Sequence, residues 1–154
     1  MSFDVDRINS VRDALAARAA KVKDADPLHK QLASMSESAD AMRRKIVATK
    51  EGGAITGEER IREKTSGLYG DLTNYEGRPA DYQVARIDSL KKELGDVETE
   101  FDAFVSKDLA AVNKSLAKKK LETVEPLTRK QWDAASGNAE SGSSASAASF
   151  RMRH

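Results

Sequence analysis

The chain has 154 residues, no cysteine, two histidines, three prolines, and 26 basic against 25 acidic side chains, for a formal net charge of +1. That length fits one domain with its own core. The composition excludes a cysteine nucleophile, a thiolate zinc site, an iron–sulfur centre and a disulfide framework, and the charge balance creates no global field toward nucleic acid or acidic membranes.

The opening Met1-Ser2-Phe3-Asp4-Val5-Asp6 lacks the basic segment and apolar run of a signal peptide. No stretch approaches the roughly 18–20 apolar residues that cross a bilayer, so membrane insertion is not expected. Pro27, Pro79 and Pro126 fall between periodic segments, where a missing amide proton costs least.

A first helix is expected over about 4–23, with Ile8, Val11, Leu15 and Val22 on one stripe and Asp4 or Asp6 accepting from its first amides. The second, about 27–50, is the most regular. Leu28, Leu32, Met35, Ala39, Met42, Ile46 and Thr49 alternate spacings of four and three, the seam of a left-handed bundle, before Gly52-Gly53 stops it. Thr56 and Glu59 read as a capping box opening a third helix, about 57–76, with Ile61, Thr65, Leu68, Leu72 and Tyr75 as its stripe. Gly67 and Gly70 inside it cost about 1 kcal/mol each relative to alanine, and close approach of a neighbouring helix would explain them.

Gly77-Arg78-Pro79 is a short turn, with Pro79 suited to the first position of the next helix. That fourth helix, about 80–119, carries Ile87, Leu90, Leu94, Val97, Phe101 and Phe104, then slips to Val105, Leu109, Val112 and Leu116. The eleven-residue step from Phe101 to Val112 is a stutter that locally unwinds a supercoil without ending the helix. Leu127 and Trp132 would dock a segment at 122–133, while the Ala/Ser/Gly-rich 134–154 reads as a disordered tail. No alternating β-branched pattern occurs. The fold class is all-α, an antiparallel up-down four-helix bundle over 1–121 with a long fourth helix.

Length arithmetic then points to an interface. At 1.5 Å per residue the third helix is about 30 Å long and the fourth about 60 Å. The turn at 77–79 enforces an antiparallel hairpin, which covers the fourth helix only as far as about Phe101. Phe104, Val105, Leu109, Val112 and Leu116 are therefore expected to project bare, the mark of an interaction site. A second copy, a segment upstream of Met1 or the folded-back 122–133 would cover them.

Residues that carry chemistry elsewhere read here as surface. Asp96, Glu98, Glu100 and Asp102 alternate like a calcium loop, but Phe101 stands where the sharp turn needs glycine. Glu58 and Glu59 open a helix, where carboxylates stabilise free amides. His29 has too few companions for a metal site. Arg43-Arg44-Lys45 and Lys118-Lys119-Lys120 are flanked by acids and read as solvated faces rather than nucleic-acid contacts. Tyr69, Tyr75 and Tyr82 cluster around the hairpin of the third and fourth helices with Arg78 between; they read as hairpin packing with wet hydroxyls, and a secondary recognition surface for a peptide or carbohydrate is the alternative. No phosphate-binding loop, cofactor site or nucleophile–base constellation is found.

Several motifs resemble a known family. Ile8-Asn9-Ser10-Val11-Arg12-Asp13, Thr56-Gly57-Glu58-Glu59-Arg60-Ile61-Arg62-Glu63, Leu68-Tyr69-Gly70, Tyr75-Glu76-Gly77-Arg78-Pro79 and Asp108-Leu109-Ala110-Ala111-Val112-Asn113 are similar to the C-terminal helical region of large bacterial sortilin-like β-propeller proteins, often labelled glycosyl hydrolases. The resemblance covers about 4–121. It implies a first helix that begins upstream, an extracytoplasmic setting and a propeller segment as partner. The chain has no Ser-x-Asp-x-Gly-x-x-Trp blade motif, so hydrolase activity and catalytic residues do not carry over.

The expected function is a non-catalytic structural or protein-interaction module whose partner is a parent propeller segment, a helix of another protein or a second copy. A free-standing adaptor or self-associating, chaperone-like bundle is the alternative, and a hydrolase a remote one.

Overall fold

The computed structural model describes residues 1–50, 57–74 and 76–135, and among these the chain is helical without a strand. Its helices are α1 (Ser2–Ala19), α2 (Pro27–Ile46), α3 (Ile61–Thr73) and α4 (Asp81–Phe104), which runs through a π-helical turn (Val105–Leu109) into α5 (Ala110–Lys118). The expected glycine stop at 52–53, Thr56 of the capping box, Tyr75 and the tail from 136 onward lie outside the described residues.

α1 and α2 form an antiparallel hairpin because each buries one stripe against the other. Ile8, Val11, Leu15 and Ala19 meet Leu28, Leu32, Met35, Ala39, Met42 and Ile46. The Asp26 carboxylate accepts from the Leu28 amide at 2.9 Å with Pro27 in the first helical position, which fixes where α2 starts. Asp4 and Asp6 do not cap α1, and Asp6 accepts instead from the Trp132 indole.

Across the hairpin, the Ser36 hydroxyl donates to the Arg12 carbonyl at 3.1 Å. The Asp40 carboxylate accepts from Arg12 at 3.2 Å, Arg43 at 2.8 Å and Arg44 at 2.6 Å. α2 ends at Ile46 rather than near residue 50 because carboxylates capture the next amides. Glu63 accepts from Ala48 at 3.1 Å and Glu58 from Thr49 at 3.2 Å. Glu63 also accepts from the Arg60 amide at 3.1 Å, so α3 opens at Ile61, later than the expected 57.

The α4–α5 rod is the axis on which everything else packs. Lys45 pairs with Glu100 at 2.6 Å and Lys119 pairs with Asp26, so α2 runs antiparallel to the second half of the rod. Lys64 reaches Glu93 at 3.7 Å, and α3 runs antiparallel to the first half. α2 and α3 thus point the same way and follow one another along the rod. These pairings do not describe four rods side by side. α1 lies in the groove between α2 and the rod, with the Arg7 guanidinium 5.1 Å from the Phe101 ring centroid and 2.9 Å from Asp102.

This arrangement reverses the expected overhang. Phe104, Leu109, Val112 and Leu116 are buried within the chain's own core, with Val105 packed against it. The α1–α2 hairpin covers the end of the rod, not its beginning. The π-turn is how the rod keeps its stripe inward. Buried positions step from Phe104 to Leu109 by five residues, the i→i+5 spacing of a π-turn, and then resume at Val112 and Leu116. The stutter in the sequence is accommodated by one wide turn.

Beyond Lys120 the chain folds back along α1. Asn113 clamps Val124 from both sides, its Nδ2 donating to the Val124 carbonyl at 2.9 Å and its Oδ1 accepting from the Val124 amide at 2.8 Å. Val124 is buried, Arg18 holds Glu122 at 2.9 Å, and the Leu127 amide donates to Ser10 Oγ at 3.3 Å. A short helical segment at 129–135 brings Trp132 edge-on to Phe3 with centroids 6.0 Å apart, and Arg129 covers both rings.

Two outcomes follow from this packing. Leu109→Asp places a carboxylate in the core and should abolish cooperative urea unfolding, a loss of about 3–5 kcal/mol, whereas Val105→Asp should cost about 1 kcal/mol and keep the helical circular dichroism. For Asp40, burial raises the carboxyl pKa, but hydrogen bonds from Arg43, Arg44 and Arg12 outweigh it and hold the group at about 2. Its stabilisation is complete above the ordinary carboxylate range and is lost as pH falls through the folded value. Asp40→Asn should therefore lower neutral-pH stability by about 1–2 kcal/mol, and wild type and variant should converge between about pH 4 and pH 2.

Candidate interaction surface

The first half of the rod has thinner cover than the second. The stripe continues through Ile87, Leu90 and Leu94, but Ile87 and Leu94 are only half-buried, as are Leu68 and Leu72 of α3. Ile61 is the one residue of α3 that is fully buried. Between the two helices runs an apolar groove of about 180 Å³, floored by Thr65, Leu68, Ile87, Leu90 and Leu94, edged by Lys91 and closed at one end by Met1. Among the described residues, the exposed large hydrophobic side chains are Tyr69 at 69%, Tyr82 at 73% and Val84 at 47%. All three stand on this hairpin.

Gly67 and Gly70 face away from the groove. A Cβ added at either would meet no atom of the described residues within 4 Å, so no neighbouring helix among them accounts for these glycines. Of the tyrosines expected to cluster, Tyr75 lies outside the described residues. Tyr82 lies beside Gly67, Asp71 and Arg86 on one side of the hairpin, whereas Tyr69 stands one turn beyond Thr65 on the groove side. Arg78 is exposed in the turn, and Pro79 precedes the helix cap at Ala80 rather than opening α4.

The acidic residues are engaged in structure. Glu100 and Asp102 face different partners, Lys45 and Arg7. Glu98 lies against Asp4, and burial followed by that like charge raises its pKa. Hydrogen bonds from Thr49 and Arg60 lower the Glu58 pKa. An open depression of about 310 Å³ between α2, α3 and α4 is lined mainly by charged side chains, among them the Lys45–Glu100 and Lys64–Glu93 pairs, over Ile61 and Val97. Among the described residues, no group of three or more histidine or carboxylate side chains has the geometry to hold a metal ion, and no helix is long and apolar enough to cross a membrane.

Sequence reasoning named Leu68, Ile87 and Leu94 as stripe positions but not as the open ones, because periodicity marks an apolar face without saying what covers it. It also passed over Asn113, whose signal was an amide side chain set beside the stripe at Val112. No family model, curated protein or solved structure matches the chain. Its functional reading therefore rests on this geometry.

Since none of the described residues packs on the back of α3, Gly67→Ala and Gly70→Ala should each stabilise the protein by about 0.5–1 kcal/mol in urea titrations, through helix propensity. A loss of stability at either position would contradict the open face.

Proposed function

We propose that this chain is a non-catalytic helical module that binds another protein through the α3–α4 hairpin. One observation carries the reading: the apolar stripe is sealed along α5 and the end of α4 but left half-open at Leu68, Leu72, Ile87 and Leu94, beside the exposed Tyr69, Tyr82 and Val84. Apolar surface concentrated at one end of an otherwise charged chain is characteristic of an interaction site.

In this reading the module is a three-helix body of α1, α2 and the second half of the rod, from which the hairpin projects. A partner helix alongside α3 and α4 would extend three-rod packing over the whole rod, in place of a self-contained four-helix bundle. An accessory helical region of a sortilin-like propeller protein and a free-standing adaptor would use the surface in the same way. The propeller link rests on the short motifs alone.

The test is whether the apolar surface can be removed without harming the fold. The combined variant Tyr69→Ser, Val84→Ser and Ile87→Ser should retain the helical circular dichroism and lose no more than about 2 kcal/mol of stability. Its binding of an anionic naphthalene-sulfonate dye should fall at least about threefold from the wild-type level. Wild-type protein that leaves the dye dark, or a variant that keeps full dye binding, would overturn the assignment.

A further inference from the structure

We propose that the end of the molecule opposite the α3–α4 hairpin adsorbs on a planar surface of anionic lipid headgroups, through a cap of lysines gathered from three helix ends. The inference goes beyond the interaction reading above and uses none of its residues.

The fold assembles the cap from pieces far apart in the chain. α1 runs parallel to the rod and α2 antiparallel to it, so α1 and α5 end where α2 begins. The Lys119–Asp26 pair fastens the end of α5 to the start of α2, and Arg18–Glu122 fastens the end of α1 to the chain just past α5. Lys21 and Lys23 stand in the turn after α1, Lys30 in the first turn of α2, and Lys118, Lys119 and Lys120 at the close of α5, all exposed. Helix axes about 10 Å apart spread them over a face about 20 Å across. The acids of this end are engaged: Asp26 by Lys119 and Glu122 by Arg18, while Asp24 lies 3.2 Å from His29 Nδ1. Among the described residues, Lys21, Lys23, Lys30, Lys118 and Lys120 have no carboxylate within ion-pair distance.

Two features set these lysines apart from an ordinary solvated face. Among the described residues, Lys120 is the one non-glycine residue at positive φ, at 57°. It follows α5 in a left-handed conformation, its amide donating to the Ala117 carbonyl at 3.0 Å and the next amide, of Leu121, to the Leu116 carbonyl at 3.0 Å. Glycine occupies that position without steric cost, yet the chain keeps a lysine whose side chain meets no acid. Lys30 is the second feature. It stands near the amino end of α2, where the macrodipole opposes a cation, and the first turn of α2 holds no acidic residue. Complementing the carboxyl end of a helix accounts for Lys118 and Lys119, but not for Lys30 or for the backbone conformation of Lys120.

The partner's form follows from the composition and shape of the cap. Its free cations are all lysines, since Arg18 is held by Glu122, and no phenylalanine, tyrosine or tryptophan occurs in 18–30 or 114–122. Point charges without stacking rings or a free guanidinium fork respond to the density of negative charge rather than to single bases or phosphates. A headgroup plane meets the whole face at once, and each lysine close to it contributes a factor of roughly five to partitioning. A long polyanion would instead run past the cap onto flanks that carry Asp108, Glu122 and Glu125, on a chain whose net charge is only +1. The contact is adsorption, since no helix among the described residues is long and apolar enough to cross a membrane.

Cosedimentation of the full chain with vesicles tests this. Phosphatidylcholine vesicles in which about one lipid in three is phosphatidylglycerol should bind the protein at least about tenfold more strongly than vesicles of phosphatidylcholine alone, and about 0.5 M salt should release it. The pair Lys23→Gln and Lys30→Gln should weaken binding at least about tenfold without lowering the urea midpoint, since both side chains are exposed. Lys120→Gly separates the cap from a structural role: it should raise the urea midpoint and yet cut vesicle binding about fivefold. The triple hairpin variant described above should bind vesicles as the wild type does. No cosedimentation with the anionic vesicles, equal binding to the neutral ones, unchanged binding of the lysine variants, loss of binding in the hairpin variant, or tighter binding of duplex DNA or polyglutamate than of the vesicles would each overturn the proposal. The interaction reading stands or falls separately, on the dye binding of the hairpin.

Discussion

One mismatch of lengths governs the molecule. The rod formed by α4, the π-turn and α5 is roughly 57 Å long, while α1 and α2 are about 27 and 30 Å. A rod that bears an apolar stripe along its whole length must be covered in stages. The chain covers the second half with the α1–α2 hairpin and the first half with α3, shorter still. Lys45–Glu100 and Asp26–Lys119 mark the register of one stage and Lys64–Glu93 that of the other. These ion pairs are partly exposed and individually weak; burial of the stripe supplies most of the stability, and the charges select among alignments of similar apolar contact.

The two stages are unequal, and that inequality makes the surface. Along the second half, three helices and the returning 121–135 segment enclose the stripe. Asn113 secures that segment to the rod by exchanging two hydrogen bonds with Val124, while Trp132 closes over Phe3 at the start of α1. Along the first half there are, among the described residues, two helices only, and two helices cannot enclose a stripe between them. The half-open leucines and isoleucine of the hairpin are thus a geometric result of running out of partners. They are held on a rod whose other half is well packed, which keeps the groove in a defined shape.

The stripe of the rod was readable from spacing alone, residue by residue, from Ile87 to Leu116. Which part of it stays open was not. Reading the turn at 77–79 as a hairpin correctly placed α3 against the start of α4. The error lay in putting α1 and α2 at that same end. The chain between Ile46 and Ile61 decides otherwise. Glu58 and Glu63 take the amides of Thr49 and Ala48, so α2 and α3 meet near their ends and continue in one direction instead of doubling back. Glu58, which reads from the sequence as a helix-opening carboxylate, joins Glu63 in fastening two helices in series. The tyrosines show the same limit. They are close in sequence, yet α3 and α4 turn Tyr69 and Tyr82 to different sides.

The amino-acid order by itself determined the helical class, the positions that face inward and the place where the rod changes phase, because helix geometry converts local spacing into a face. It also excluded disulfide and thiolate chemistry outright, since the necessary side chain is absent. Only the tertiary structure decided which stretch of that inward face has a neighbour. Covering a stripe requires segments far apart in the chain, and their alignment depends on a few long-range hydrogen bonds and ion pairs that no local pattern encodes.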